Sequence, residues 1–231
     1  MTEAMSTHVL ILAGGLGTRL RSVVSDRPKV LAEVAGRPFI TYLLDRLDQS
    51  GFRSVTLLTG YKGEMVEQQL GLTYQSIHLG YSVEATPLGT GGAIRAAARV
   101  IPCDQLLVLN GDTYFDVDYQ DFLEQALLGS DLIACRQVVD VGRYGAIRMD
   151  DTGRVTALAE KEVSGPGLIN GGIYLLNRDA IASWQEEVFS IETDYFPKAL
   201  MDRRLYGKSS NGGFIDIGVP EDLGRASEVL P

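Results

Sequence analysis

A glycine-rich segment directly follows the first apolar run of the sequence. Val9–Ala13 predicts a fully buried strand, and Gly14, Gly15 and Gly17 come immediately after it. Glycines at this position let the backbone approach a phosphate group with its N–H groups turned towards it. A tight surface turn is the alternative interpretation. Leu20 stands where the dinucleotide-binding fingerprint Gly-x-Gly-x-x-Gly requires its third glycine, so the segment does not match that fingerprint.

Basic residues cluster just downstream of these glycines. Between residues 19 and 37 there are five basic and two acidic side chains, a local excess of +3 in a chain whose net charge is −9. The basic ones are Arg19, Arg21, Arg27, Lys29 and Arg37. A solvated charged loop is the alternative interpretation. Phosphate binding is better supported, because the cluster adjoins the end of a strand, where open α/β sheets bind their ligands.

Two aspartates stand at the ends of predicted strands. Asp112, in Asn110-Gly111-Asp112, follows the apolar run Leu106–Asn110, and Asp216 lies between the apolar residues of Phe214–Gly218. Carboxylates beside a phosphate loop suit Mg²⁺, which prefers oxygen ligands and keeps several waters and substrate phosphates. An ordinary turn is the alternative for Asp112, and an ion pair with Arg or Lys is the alternative for Asp216.

Alternating apolar runs and helix-like stretches predict the elements that would carry these residues. Strands are expected over Val9–Ala13, Ser54–Thr59, Ser76–Ser82 and Leu106–Asn110, and helices over Phe39–Ser50, Lys62–Leu70, Gly91–Val100 and Tyr119–Leu128. Further strands are expected over Leu132–Gln137, Tyr144–Met149, Leu168–Leu176 and Phe214–Gly218, followed by a helix that begins at Pro220. This order predicts an α/β fold: a Rossmann-like, largely parallel mixed sheet with helices on both faces, extended by antiparallel pairs.

Composition excludes several classes of protein. The 231 residues are 45% hydrophobic and 22% charged, enough for one buried core, and we expect one domain over residues 1–231. A chain of net charge −9 without a basic stripe is a poor nucleic-acid binder. No segment approaches the ~20 apolar residues that cross a membrane, and the N-terminus has no signal-peptide pattern, so we expect a cytoplasmic protein. Cys103 and Cys135 are expected to be small buried hydrophobes.

With these pieces in order, the sequence resembles the sugar-1-phosphate nucleotidylyltransferases over nearly its whole length. Leu12-Ala13-Gly14-Gly15-Leu16-Gly17-Thr18-Arg19-Leu20 with Pro28-Lys29 resembles the nucleotide-binding signature, and Pro87-Leu88-Gly89-Thr90-Gly91-Gly92 the base-binding loop. Asn110-Gly111-Asp112 and Phe214-Ile215-Asp216-Ile217-Gly218 resemble the metal-binding segments. Arg143-Tyr144-Gly145, Glu160-Lys161 and Asn170-Gly171-Gly172 resemble the sugar-phosphate site. Val30 departs from the family, since many members have a second Pro after Pro-Lys.

The resemblance implies transfer of a nucleoside monophosphate from a nucleoside triphosphate to a sugar 1-phosphate, with release of pyrophosphate. The residues implied in catalysis are Arg19, Lys29, Asp112, Lys161 and Asp216, with Asp112 and Asp216 holding Mg²⁺. The nucleotide would contact Leu12, Ala13, Gly14, Gly15, Gly17, Thr18, Glu84, Pro87, Gly89, Thr90, Asn110 and Gly111. The sugar phosphate would contact Tyr144, Gly145, Glu160, Lys161, Asn170 and Gly171. The nucleotide-binding half would span about residues 1–115 and the sugar-binding half about 116–231.

The resemblance also bears on the two substrates. Glu84 precedes the base-binding loop, and an ionised carboxylate can accept from both N–H donors on the edge of guanine, which favours GTP. Within the family the sequence resembles the short heptose 1-phosphate guanylyltransferases, which implies D-glycero-α-D-manno-heptose 1-phosphate and a role in surface polysaccharide or glycoprotein synthesis. Mannose, glucose or N-acetylsugar 1-phosphates with GTP, UTP or dTTP are the alternative substrates, and a nucleotide-sugar-sensing regulatory subunit is the non-enzyme alternative. The sequence leaves open whether the protein forms a homo-oligomer.

Overall fold

The computed structural model describes residues 6–15, 20, 26–159 and 164–231. The strands are β1 (Thr7–Leu12), β2 (Glu33–Val34), β3 (Arg37–Pro38), β4 (Ser54–Thr59), β5 (Thr73–Tyr74), β6 (Ile77–Val83), β7 (Gln105–Asn110), β8 (Thr113–Phe115), β9 (Asp131–Val138), β10 (Ala146–Met149), β11 (Val155–Ala159), β12 (Gly167–Asn177), β13 (Leu205–Ser210) and β14 (Phe214–Asp216). The α-helices are α1 (Phe39–Gln49), α2 (Gly63–Leu70), α3 (Gly89–Ala98), α4 (Tyr119–Glu124), α5 (Arg178–Ala182), α6 (Phe196–Met201) and α7 (Pro220–Arg225). Short 3₁₀ turns lie at Lys29–Leu31 and Ala226–Glu228, and a π-helical turn lies at Ile191–Tyr195.

A ten-stranded mixed sheet organises the described part of the chain, with the order β11-β10-β12-β7-β1-β4-β6-β5. Strands β7, β1, β4 and β6 are mutually parallel, whereas β12 runs antiparallel to both β7 and β9, and β13 joins β9 in parallel. The chain builds outward from β1 through β4 to β6 and then returns to the other side of β1 as β7. The carboxyl ends of β1 and β7 therefore flank the point where the strand order reverses, which is where such sheets bind ligands.

Helices cover both faces of this sheet, as predicted. Side chains alternate between the faces along a strand, and in β1 Val9 and Ile11 pack in one buried cluster with α1 while Leu10 packs in a second cluster with α3. A strand buried on both faces reads as a continuous apolar run, which explains the signal of Val9–Ala13. No helix of the described residues is long and apolar enough to cross a membrane.

The structure differs from the sequence prediction at several elements. The helix expected over Tyr119–Leu128 ends at Glu124, because Leu127 and Leu128 are exposed and provide no buried face for another turn. The segment expected to extend the sheet at Phe214–Gly218 instead forms β14, which pairs antiparallel with β8 in a separate two-stranded sheet. Several elements were not predicted at all: β2, β3, β5, β8, β11, β13, α5 and α6.

Candidate active site

A cavity of about 360 Å³ opens at the carboxyl ends of β1, β6 and β7. Fourteen residues line it: Leu12, Ala13, Gly14, Gly15, Lys29, Val30, Glu84, Pro87, Gly89, Thr90, Asn110, Gly111, Asp112 and Glu192. Most of them come from the segments whose residue types indicated a nucleotide site. The cavity coincides with the reversal of strand order, so sheet topology and residue chemistry point to the same place.

Backbone contact between β1 and β7 continues one residue past the last paired position. The N–H of Gly111 donates to the carbonyl of Leu12 at 2.9 Å, and a Cβ on Gly111 would lie 2.4 Å from that same oxygen. Any larger residue at position 111 would push the two strand ends apart. Glycine is therefore required where Asn110-Gly111-Asp112 approaches the loop that begins at Ala13.

Lys29 and Asp112 form an ion pair on the cavity wall. Lys29 begins the 3₁₀ turn after Pro28, and its Nζ donates to Oδ2 of Asp112 at 2.6 Å. The Lys29 side chain is only 11% exposed, whereas that of Asp112 is 35% exposed. The hydroxyl of Thr113 donates to the other carboxylate oxygen of Asp112 at 3.2 Å. The pair places a cation and a carboxylate side by side on the wall of the cavity.

Pairing of β8 with β14 brings the two predicted metal-binding aspartates together. Asp216 stands opposite Thr113, and the N–H of Ile217 donates to the carbonyl of Asp112 at 2.9 Å. Oδ1 of Asp216 accepts from the N–H of Gly218 at 2.7 Å, which fixes the orientation of that carboxylate. Within the described residues no three His, Cys, Asp or Glu side chains are grouped so that they could hold a metal ion. Two carboxylates fit Mg²⁺, which commonly takes one or two of them together with water and substrate phosphates.

Glu84 contributes a half-buried carboxylate to the cavity next to the glycine loop. Its N–H donates to the carbonyl of Thr59 at 2.8 Å, which continues the pairing of β6 with β4. Its side chain turns back, so that Oε2 accepts from the N–H of Leu88 at 3.1 Å. Oε1 lies 3.4 Å from the position that a Cβ on Gly14 would occupy. Burial raises the pKa of Glu84, and the hydrogen bond from Leu88 opposes that rise.

Of the residues predicted to bind the sugar phosphate, Tyr144 and Gly171 lie beside the β8–β14 pair, outside the lining of the cavity. Tyr144 packs edge to face on Phe214, with ring centroids 6.1 Å apart. Gly171 packs on Phe115, and a Cβ on Gly172, whose φ is +73°, would lie 3.2 Å from the side chain of Asn110. Two glycines in succession thus let the Asn170-Gly171-Gly172 segment pack directly against the residues that precede and follow Asp112.

The comparison with known proteins identifies the family. A protein-family model described as nucleotidyl transferase matches residues 8–231 of the sequence. The chain belongs to the nucleotidyl transferase family. It is 41% identical over 227 residues to the D-glycero-α-D-manno-heptose 1-phosphate guanylyltransferase of Aneurinibacillus thermoaerophilus, an alignment that covers 96% of this chain and 98% of the relative. It is 34% identical over 236 residues to the mannose-1-phosphate guanylyltransferase of Mycobacterium tuberculosis, covering 98% of this chain and 66% of that protein.

A solved structure agrees with the fold of this nucleotidyl transferase. The crystal structure of HddC from Yersinia pseudotuberculosis complexed with GMP-PN superposes with a TM-score of 0.87 at 37% identity. The match covers 97% of this chain and 99% of HddC. The predicted mixed, largely parallel sheet with helices on both faces is confirmed.

The structure assigns different surroundings to the basic residues of the segment between positions 19 and 37. Of the described ones, Lys29 reaches the cavity, whereas Arg27 pairs with Asp26 and Glu33, and Arg37 pairs with Asp45. Each of these three described cations therefore has a carboxylate partner, and only the partner of Lys29, Asp112, lies in the cavity lining. Several predicted site residues of this nucleotidyl transferase lie outside the described residues: Gly17, Thr18, Arg19, Glu160 and Lys161.

Glu192 is a cavity residue that the sequence analysis missed. It lies in the π-helical turn that begins at Ile191, and its carboxylate accepts from the hydroxyls of Thr90 at 2.9 Å and Ser190 at 3.0 Å. The Thr90 hydroxyl therefore makes two hydrogen bonds within the protein, because its oxygen also accepts from the N–H of Ile191 at 2.9 Å. The one local signal is Ser190, which caps the turn by accepting from the N–H of Glu192 at 3.2 Å.

Proposed function

We propose that this protein transfers a guanylyl group from GTP to D-glycero-α-D-manno-heptose 1-phosphate. A phosphate oxygen of the sugar forms a bond to the α-phosphorus of GTP, and the bond from that phosphorus to the oxygen of the departing pyrophosphate breaks. The products are GDP-heptose and pyrophosphate. The observation that carries the proposal is a single cavity at the strand reversal that is lined by both the Lys29–Asp112 pair and the Glu84 carboxylate.

Guanine is the base that Glu84 fits best. Guanine has two donors on one edge, the ring N–H and the exocyclic amino group, and an ionised carboxylate is an acceptor through both of its oxygens. Uracil and thymine present an N–H between two carbonyls, so a carboxylate would face at least one acceptor. An ionised carboxylate would repel the phosphates, so we assign the Glu84 side chain, which lies beside Gly14 at the end of β6, to the base.

Charge neutralisation and alignment supply the chemistry. A phosphate monoester has a second pKa near ~6, so the attacking phosphate of the sugar is already deprotonated at neutral pH and needs no general base. Lys29 would stabilise charge on the α-phosphate, Arg19 would bind the triphosphate and the departing pyrophosphate, and Lys161 would hold the sugar phosphate. The backbone of Gly15 and Gly17 would cradle the triphosphate. Preorganised cations of this kind stabilise charge that develops in the transition state.

Asp112 and Asp216 would hold the Mg²⁺ that the family resemblance implies. Their donor set is all oxygen, and β8–β14 pairing keeps the two carboxylate-bearing residues on adjacent backbone segments. When bound there, the ion neutralises negative charge on the phosphates. Lys29 Nζ donates to the carboxylate of Asp112, so Asp112 also orients this ammonium group.

Heptose 1-phosphate is favoured as the acceptor by similarity along the whole chain. The relative named for heptose 1-phosphate is matched over 98% of its length, whereas the one named for mannose 1-phosphate is matched over 66%. Tyr144, Gly145, Glu160, Asn170 and Gly171 would contact the sugar. The product is an activated donor for surface polysaccharide, capsule, lipopolysaccharide or glycoprotein synthesis, and a reaction that consumes GTP belongs in the cytoplasm.

The proposal is tested by pyrophosphate release from a matrix of GTP, UTP, dTTP and ATP against heptose, mannose and glucose 1-phosphates, with and without Mg²⁺. We expect the GTP and heptose 1-phosphate pair to give the highest kcat/KM, and only with Mg²⁺. An Asp216→Ala protein serves as the control for contaminating activity. Highest activity with UTP or dTTP would contradict the guanine assignment, and no release from any pair would contradict transfer itself.

A further inference from the structure

A fully buried hydroxyl lies between the cavity and the predicted sugar-binding segment. Tyr174 of β12 is 0% exposed, and its hydroxyl accepts from Nδ2 of Asn170 at 3.0 Å and from Nδ2 of Asn110 at 3.4 Å. The same hydroxyl donates to Oε1 of Glu192 at 3.4 Å. One hydroxyl thus contacts three side chains, of which Asn110 and Glu192 line the cavity.

Glu192 extends this network to the nucleotide side of the cavity. Its second oxygen, Oε2, accepts from the hydroxyl of Thr90 in the first turn of α3. The Tyr174 hydroxyl is therefore linked to Thr90 through one carboxylate and contacts Asn110, two residues before Asp112, directly. Asn110 Oδ1 is buried and has no hydrogen-bond partner among the residues that the structure describes, so the Tyr174 hydroxyl is the side-chain contact that orients the Asn110 amide.

Two hydrogen bonds orient the amide of Asn170, and one of them is made to the Tyr174 hydroxyl. Its Oδ1 accepts from the N–H of Gly172 at 2.8 Å, and one of its two N–H donors goes to Tyr174. The register of β12 against β9 shifts between Asn170 and Tyr174, so the segment does not follow the regular ladder there. The N–H of Gly172 and the hydroxyl of Tyr174 together fix the Asn170 amide, so loss of the hydroxyl would leave only the backbone bond.

We propose that Tyr174 is a positioning residue that orients Asn170 and Asn110 and couples them, through Glu192, to Thr90. The inference rests on the proposed function, because Asn170 is assigned there to the sugar. Tyr174 itself is shielded from substrate by its complete burial. A Phe at position 174 would keep the ring, including its edge-to-face contact with Phe196 at 5.0 Å, and would remove only the hydroxyl.

Tyr195 offers a matched control for the same chemical change. Its ring is also 0% exposed and also packs on Phe196, with centroids 6.2 Å apart. Its hydroxyl accepts from Nη1 of Arg204 at 2.9 Å and donates to Asp131 at 3.4 Å, away from the cavity. Tyr195→Phe therefore removes an equally buried hydroxyl whose hydrogen bonds, within the described part of the chain, go to Arg204 and Asp131 and not to the residues assigned to the substrates.

The experiment compares Tyr174→Phe and Tyr195→Phe for thermal stability and for separate KM values with GTP and the sugar 1-phosphate. A positioning role predicts that Tyr174→Phe loses roughly 10-fold in kcat/KM for the sugar, the size expected from one or two weakened hydrogen bonds. The KM for GTP should change much less, and Tyr195→Phe should lose stability while keeping wild-type kinetics. Calorimetric titration with the sugar 1-phosphate gives a second readout that does not require turnover.

Glu192→Gln provides a second variant if Tyr174→Phe folds poorly. The amide keeps the size of the side chain but loses one acceptor oxygen, so sugar kcat/KM should again fall. The combined variant should lose less than the product of the two single effects, because both act through one network. Wild-type sugar kcat/KM in Tyr174→Phe, with a loss of stability like that of Tyr195→Phe, would overturn the positioning role. Wild-type protein assayed in parallel separates this outcome from failure of the proposed function.

Discussion

Replacing Glu84 by Gln isolates the contact that would select guanine. The substitution keeps the shape of the side chain and removes its charge and one acceptor oxygen. In the structure Oε2 already accepts from the N–H of Leu88 at 3.1 Å. A Gln at this position has one acceptor oxygen to serve both Leu88 and guanine, and its NH₂ group would face a guanine donor.

The expected magnitude follows from the hydrogen bonds that change. A hydrogen bond to a charged group contributes about 1.5–3 kcal/mol, and 1.4 kcal/mol is tenfold in an equilibrium or rate ratio. Loss of one such bond to guanine should lower kcat/KM for GTP by roughly 10- to 100-fold. UTP should lose nothing, because an amide suits the N–H and carbonyl pattern of uracil better than a carboxylate does. The preference for GTP over UTP should therefore fall by at least the same factor.

The pH dependence of this preference gives a second signature of Glu84. Only the ionised carboxylate accepts from both guanine donors, so GTP preference should weaken as falling pH protonates Glu84. Burial raises the pKa of Glu84 above the ordinary value of 4.5, which moves this loss to a higher pH than an exposed glutamate would show. Titration of the sugar phosphate, near pH ~6, affects both nucleotides equally and cancels in the ratio. In Glu84→Gln the pH dependence of the ratio should disappear.

The assay is steady-state pyrophosphate release with GTP and UTP at a fixed, saturating sugar 1-phosphate concentration, repeated across pH. Glu64→Gln is the matched control, because Glu64 is exposed on α2 and does not line the cavity. Circular dichroism would confirm that both variants fold. An unchanged GTP-to-UTP ratio in Glu84→Gln would refute the base contact.

Four further substitutions test the phosphate site and the core. Asp216→Ala should lower turnover by orders of magnitude without loss of folded protein. Mg²⁺-dependent pyrophosphate release measures the turnover, and thermal melting measures the folding. Full activity would exclude Asp216 as a metal ligand. Lys29→Ala and Arg19→Ala should each cost about 10²–10³ in rate at saturating substrate, and normal turnover in either would remove its assigned role. Arg204→Met should lower the free energy of unfolding by about 3–5 kcal/mol, because the fully buried Asp131 carboxylate would lose its ion-pair partner. Urea unfolding measures this free energy. A decrease below about 1 kcal/mol would show that the pair is not stabilising.

Strands β1, β4 and β7 were predictable because each is largely buried on both faces. Ser54–Thr59 matches β4 at both ends, and β7 differs from its prediction by one residue. The strand β13 escaped detection, since Leu205–Ser210 contains glycine, lysine and two serines and is held by pairing with β9. Leu127 and Leu128 produced the opposite error, because apolar residues that remain exposed are indistinguishable in sequence from those that are buried.

The candidate site was predictable where short segments carry their own chemistry. Glycines after a buried strand, Lys29 and the Asp112 segment all gave local signals, and the structure brings Lys29 and Asp112 together at 2.6 Å. Glu192 gave almost none, because it reaches the cavity through contacts with Thr90 and Tyr174, distant in the chain. Residues that act through tertiary hydrogen bonds cannot be recognised from the spacing of neighbouring residues.

The most direct test of the central claim is kcat/KM with GTP for heptose 1-phosphate against mannose 1-phosphate. The two sugars share their ring hydroxyl pattern and differ by one hydroxyl-bearing carbon beyond C6. A pocket that merely has room for this carbon would discriminate by about 10–200-fold, and one that hydrogen-bonds its hydroxyl would discriminate more strongly. We predict a preference for heptose 1-phosphate of at least about tenfold. Equal or greater kcat/KM with mannose 1-phosphate would contradict the heptose assignment.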